Sequence, residues 1–192
     1  MEIKKRDKVR KISTVIETIL ITILVVFVVA MMIMINNLQG TARVVNYAGL
    51  VRGKTQRIIK LENAGQPHDE MIESVSSYIK GLRYGSDELK LVRLDDAAFQ
   101  VKMNELNRYF EKLCKEILLI REKGYENTNI IEMSETFFNI CDEATGLAEA
   151  YSQRKATALN RLEQIVFVDI GGLIIIIAIE LVKALRYAAQ NR

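Results

Sequence analysis

Apolar residues follow two different patterns along the chain. From Thr18 to Gln39 no charged residue occurs, and the heart of the run reads ILITILVVFVVAMMIMINN. A helix rises about 1.5 Å per residue, so about 20 residues cross the hydrocarbon core of a bilayer, and this run is long enough. A second run, IVFVDIGGLIIIIAIELV from Ile165 to Val182, carries Asp169 and Glu180 near its ends. Its four consecutive isoleucines, Ile174 to Ile177, make it apolar on every side. A buried core helix is the alternative, but a chain this small offers too little protein to bury one. Residues 12–36 and 165–182 are therefore predicted to be transmembrane helices. A cleaved signal peptide fits the first run poorly. A cleavable apolar core is about 7–15 residues and ends in small residues, whereas VVAMMIMINNLQG is longer and bulkier.

Between these runs, over residues 37–164, the spacing is that of packed helices. ENAGQPHDE, with Gly65 and Pro67, breaks the first long helix, and Asp69 is placed to cap a second helix through EMIESVSSYIKGLRY. Gly85-Ser86-Asp87 is a weaker break, and KLVRLDDAA reads as either loop or helix. Phe99, Met103, Leu106, Phe110, Leu113, Ile117 and Ile120 then alternate steps of four and three, which is the seam of a bundle. Gly124 closes that helix. The last helix runs from about Thr128 into the second apolar run without a breaker, with an inward stripe of Phe137, Cys141, Ala144, Ala148, Tyr151, Ala158 and Leu162. The fold expected is all-α, an antiparallel four-helix bundle continuous with two transmembrane helices.

Charge adds orientation. Lys4, Lys5, Arg6, Lys8, Arg10 and Lys11 precede the first run, and Lys183, Arg186 and Arg192 follow the second. The middle carries 18 Lys+Arg against 19 Asp+Glu and is nearly neutral. The positive-inside rule then places the tail 1–11 and the stub 183–192 in the cytoplasm and residues 37–164 outside, as a two-pass protein of a cytoplasmic membrane. The net charge of +3 sits on these flanks, which points to anionic membrane lipid and not to nucleic acid. Cys114 and Cys141 fall in the external segment, where a disulfide is chemically permitted. A hairpin turning near Gly124 leaves them about one helical turn out of level, so buried free thiols are expected.

The stretch VNYAGLVRGKTQRIIK, Val45 to Lys60, spends two glycines inside a helix. On a helical wheel Val44, Ala48, Val51, Thr55, Ile58 and Ile59 gather on one side as the core stripe. Leu38, Ala42, Asn46, Gly49, Gly53, Gln56 and Lys60 gather on the other, flanked by Arg52 and Arg57. A solvated face accounts for the arginines but not for the glycines, each of which costs about 1 kcal/mol against alanine. Gly49-x-x-x-Gly53, extended by Ala42, is the spacing at which two helix backbones approach closely. A second copy about a two-fold axis is the natural partner. Arg52 of each copy then converges near the axis with Asn46, Gln56 and Arg57 nearby, and paired guanidinium groups of this kind hold a small oxyanion or carboxylate.

The same stretch resembles a known family. Asn46, Ala48, Gly49, Arg52 and Arg57 match the signature of bacterial sensors of the nitrate/nitrite sensor kinase type, which is similar in the N-terminal domain of type IV pilus methyl-accepting transducers. The resemblance implies a dimeric periplasmic four-helix bundle in a bacterial inner-membrane receptor, with ligand held at the paired first helices by the arginine matching Arg52. Gly53-Lys54-Thr55 departs from the bulkier residues of that pattern, which leaves the ligand open between nitrate-like anions and carboxylates. The wording of the stretch is closer to sensor modules attached to kinase or diguanylate cyclase outputs.

Other candidates are weak. His68 is the only histidine and stands beside loop acids, so no metal site and no cofactor is expected. Asp95-Asp96 and Asp142-Glu143 read as caps or solvated faces, and Asp169 and Glu17 as interfacial acids. No nucleophile, phosphate loop or triad occurs, so these residues are not expected to be an enzyme. With about ten residues beyond the second run there is no room for an output domain, and a downstream cytoplasmic signalling domain or protein is expected. The sequence thus predicts the sensory input module of a receptor of sensor kinase, diguanylate cyclase or chemoreceptor type. The alternative is a non-sensory membrane scaffold that binds another external protein.

Overall fold

The seven-residue seam from Phe99 to Ile120 is buried along its whole length and lies in the hydrophobic core. The structure, a computed structural model, describes the backbone of residues 2–190 and the side chains of residues 11–189. The side chains of Lys4, Lys5, Arg6, Lys8 and Arg10, and Arg192 as a whole, lie outside the described residues. The chain is all-α. Among the described residues four helices follow in order, α1 (Glu2–Asn63), α2 (Asp69–Tyr84), α3 (Ala97–Lys123) and α4 (Ile130–Gln190), with a 3-10 turn at Tyr125–Asn127. Among the described residues there is no strand, only an isolated bridge between Ser86 and Leu91.

Contacts divide the chain into two compact units, Asn37–Lys155 and Met1–Asn36 with Ala156–Arg192. In the first, all four helices contribute to one core. Val44, Ala48, Val51, Ile58 and Ile59 enter from α1, Val75, Ile79 and Leu82 from α2, and Ile130, Phe137, Ile140, Cys141, Ala144 and Ala148 from α4. Each α1 residue of the core stripe read from the wheel is buried, Thr55 included. The α4 stripe holds from Phe137 to Ala148 and then weakens. Tyr151 is half-buried against the edge of the core. Leu162 is only half-buried and Ala158 is exposed, because from Ala156 onward the helix belongs to the other unit, where few side chains are covered.

The segment KLVRLDDAA resolves into a connector followed by the start of α3. Ser86 and Leu91 exchange two backbone hydrogen bonds, of 2.9 and 2.8 Å, and the Asp96 carboxylate caps α3 by accepting from the Phe99 N–H at 2.9 Å. A Cβ on Gly81 would come within 2.9 Å of Leu91, and one on Gly40 within 2.9 Å of Val92. Both glycines therefore make room for the connector. Asp69 does not cap α2 with its side chain. It is the first residue of that helix, and its carboxylate turns to Arg121 on α3 at 2.7 Å.

The second unit contains the two apolar runs. α1 and α4 are each long and apolar enough to cross a membrane. Most of their large apolar side chains are exposed, among them Val26, Met32, Phe167, Val168 and Ile174. Such a surface is far larger than a water-soluble monomer tolerates and suits contact with lipid tails. One carboxylate oxygen of Glu17 and one of Asp169 are shielded without a hydrogen-bond partner among the described residues.

Candidate functional site

The buried stripe of α1 fixes the rotation of the helix and so decides what its other faces meet. Ala42, Asn46, Gly53 and Arg57 are exposed, and Gly49 is partly so. A Cβ built on Gly49 or Gly53 meets nothing within 4 Å, in contrast to Gly40 and Gly81. Nothing among the described residues requires either residue to be glycine, and each weakens the helix by about 1 kcal/mol relative to alanine.

Arg52 lies on the edge of this face, with its side chain 35% exposed. Its Nη1 donates to Asp142 Oδ1 on α4, and the guanidinium lies over the Phe138 ring, 5.1 Å from the centroid. One turn further along α1, Gln56 Nε2 donates to Ser134 Oγ at 3.1 Å. Toward the other end, Thr41 Oγ1 donates to Ser152 Oγ at 3.1 Å. Along this seam the α4 partner falls in number as the α1 residue rises. Of the four ligand residues expected from the sequence, the structure therefore brings Arg52 and Gln56 together against α4. Asn46 and Arg57 stay in solvent and make no hydrogen bond or ion pair among the described residues.

Arg52 keeps binding capacity in reserve. Only Nη1 is engaged by Asp142, and neither Nε nor Nη2 has an acceptor among the described residues. A planar fork with free donors, stacked on an aromatic ring and open to water on one side, recognises oxyanions and carboxylates. On the flank toward α2, Lys54 Nζ donates to Ser74 Oγ at 2.8 Å and to the Tyr78 hydroxyl at 3.0 Å. Tyr47 packs edge-on against Tyr78, with centroids 4.8 Å apart. The Lys54 hydrogen bond, helped by Ser74, lowers the Tyr78 phenol below its ordinary range.

The cysteines are free, Cys114 half-buried and Cys141 buried. Burial pushes the Cys141 thiol up to about 12 and the Cys114 thiol up to about 11. Neither offers a thiolate for chemistry near neutral pH. Among the described residues no group of three His, Cys, Asp or Glu gathers closely enough to hold a metal ion.

Three residues of the site lie outside the stretch that points to it. Ser134, Phe138 and Asp142 are spaced four apart on α4 and form one flank of its buried stripe. The neighbouring Glu143 sits on the opposite flank and pairs with Lys102 of α3 at 2.7 Å. The acidic pair Asp142-Glu143 thus reaches a different helix with each carboxylate. Spacing alone places 138 and 142 on one flank; which helix covers that flank depends on the register between α1 and α4. Searches for similar proteins find no matching family model, no matching curated protein and no matching solved structure.

Proposed function

We propose that this chain is the membrane-embedded input module of a bacterial signal-transduction receptor, and that it binds a small anion where α1 of one copy meets α1 of a second. In this reading the Asn37–Lys155 unit is an antiparallel four-helix bundle outside the cell, continuous with two membrane-crossing helices. Both termini are cytoplasmic, and a cytoplasmic signalling domain or protein receives the output. The observation that carries it is the pair Gly49 and Gly53, which open a smooth strip of backbone beside the half-exposed Arg52 although nothing among the described residues needs the space. Close approach of a second helix gives the two glycines a physical reason, and a two-fold axis then brings two guanidinium groups to one place. A nitrate-like or carboxylate anion between them neutralises their repulsion and uses their free donors.

Transmission follows from the same helix. α1 carries both Arg52 and the first apolar run, so a ligand that favours one packing of the α1 pair favours one arrangement of the attached membrane segments. Displacements of about 1–2 Å along a helix are enough for such switching, provided that the anion binds the two arrangements unequally.

Thermal unfolding of the full chain in detergent, against nitrate, nitrite, sulfate, short carboxylates and amino acids at matched ionic strength, tests the reading. Ligand at about 100 times its dissociation constant adds about 2.7 kcal/mol. One anion class is expected to stabilise the wild-type protein and to have no effect on Arg52→Ala. If no anion stabilises a protein shown to be dimeric, the scaffold reading takes its place.

A further inference from the structure

Resting on the reading of Arg52 as the anion-binding residue, we propose that Asp142 is a built-in competitor for the ligand. Its carboxylate occupies Arg52 when the site is empty and is displaced when a carboxylate or oxyanion arrives. The chemistry of the two partners is the same. A carboxylate on α4 and a carboxylate or nitrate-like anion from solution offer the same planar oxygens to the same fork. The geometry makes the exchange feasible. Asp142 is 62% exposed and Arg52 35%, so the pair is wet enough to open without stranding a charge in the core. Asp142 uses a single nitrogen of Arg52 and leaves Nε and Nη2 able to engage an incoming anion before Nη1 is released. Phe138 holds the guanidinium from its face throughout, so the fork stays in position while its acceptor changes.

The competitor also answers a difficulty of the two-fold site. Two Arg52 side chains brought together without ligand repel each other, and each chain supplies one Asp142 to offset this. Ligand binding then takes over the neutralising role and frees a tie between α1 and α4. The anion is sensed as the replacement of an internal carboxylate by an external one.

The test is a calorimetric titration of the full chain in nanodiscs with nitrate and, separately, with acetate and succinate. It compares the wild-type protein with Asp142→Asn, Glu143→Gln and Arg52→Ala. Asp142→Asn removes the competing charge from an exposed position and is expected to bind the recognised anion about two- to five-fold more tightly. Binding that appears in Asp142→Asn but is undetectable in the wild-type protein supports the proposal equally. Glu143→Gln, adjacent but facing α3, is expected to leave the affinity unchanged. Equal or weaker binding by Asp142→Asn, with Arg52→Ala inactive, overturns the competitor and leaves the anion site standing. Binding by neither the wild-type protein nor Asp142→Asn, or binding that survives Arg52→Ala, overturns both.

Discussion

Arg121 and Arg52 each carry a guanidinium from one helix to a carboxylate on another, and they differ in the burial of that carboxylate and in the number of bonds made. Arg121, in the last turn of α3, holds Glu62 through Nε at 3.0 Å and Nη2 at 2.5 Å, and Nη2 also reaches Asp69 at 2.7 Å. Glu62 is 1% exposed and lies near the end of α1; Asp69 begins α2. One side chain thus clamps three helix ends, and of its two carboxylate partners Glu62 is buried while Asp69 is exposed. Arg52 meets a single exposed carboxylate with a single nitrogen and leaves its other donors unused. The first arrangement is permanent because opening it strands a buried charge. The second is exchangeable because opening it strands nothing. Sites that must hold the fold together and sites that must let go are built from the same residue types, and burial separates them.

The comparison is most open to challenge at Arg121. Arg121→Ala leaves the Glu62 carboxylate buried and unpaired, and a loss of about 3–5 kcal/mol of unfolding free energy is expected. Replacing both partners, Arg121→Met with Glu62→Met, is expected to recover most of that loss, because no orphaned charge remains. Chemical unfolding of the full chain in detergent measures both. A small loss for the single variant would mean that Glu62 is not sealed off as the structure has it.

Arg52→Ala is expected to cost no more than about 1 kcal/mol in the same measurement, since its pair is half-exposed and screened. A cost equal to that of Arg121→Ala would erase the distinction between the clamp and the exchangeable pair. The smallest effect expected is a pH dependence. Hydrogen bonding from Arg121 holds the Asp69 carboxyl below the usual carboxylate range, in the folded state only. Its contribution to stability is therefore complete above the unfolded value of about 3.9 and is lost as pH falls through the lowered folded value. Asp69→Asn is expected to lower the melting temperature slightly on the neutral side and to leave the most acid end unmoved, which flattens part of the acid limb between them. An unchanged acid limb would show that the Arg121 bond to Asp69 does not persist in solution.

What the sequence made legible follows from what periodicity can encode. The core faces of α1 and α3 were readable residue by residue, since burial on one side of a helix imposes a spacing that survives in the sequence: Phe99 to Ile120 and Val44 to Ile59 are buried as their spacing requires. The stripe of α4 was readable only as far as Ala148. Beyond it Ala158 is exposed, because a regular spacing continues past the point where neighbouring helices stop covering it. The α4 stripe also extends further back than its spacing indicated, with Ile130 and Ser134 buried, and it is wider, with Ile140 buried beside Cys141. Arg52 and the glycines stood out because they break local economy. Asp142 did not, although it is the residue that Arg52 touches. The two are 90 positions apart, and their meeting is set by the register of two long helices that no local pattern records. Asp96 reads from the sequence as a cap or a solvated face, and it is the cap of α3; the bond of its second oxygen to Arg154, at 2.7 Å, was not readable, for the same reason.

The central claim is that two copies share one anion through Arg52, and its most direct test is the stoichiometry of binding. Calorimetric titration of the full chain in nanodiscs, with the anion that most stabilises it, counts bound anions per chain. One anion for every two chains is expected, and no binding after Arg52→Ala. One anion per chain, or binding that Arg52→Ala leaves intact, would contradict it.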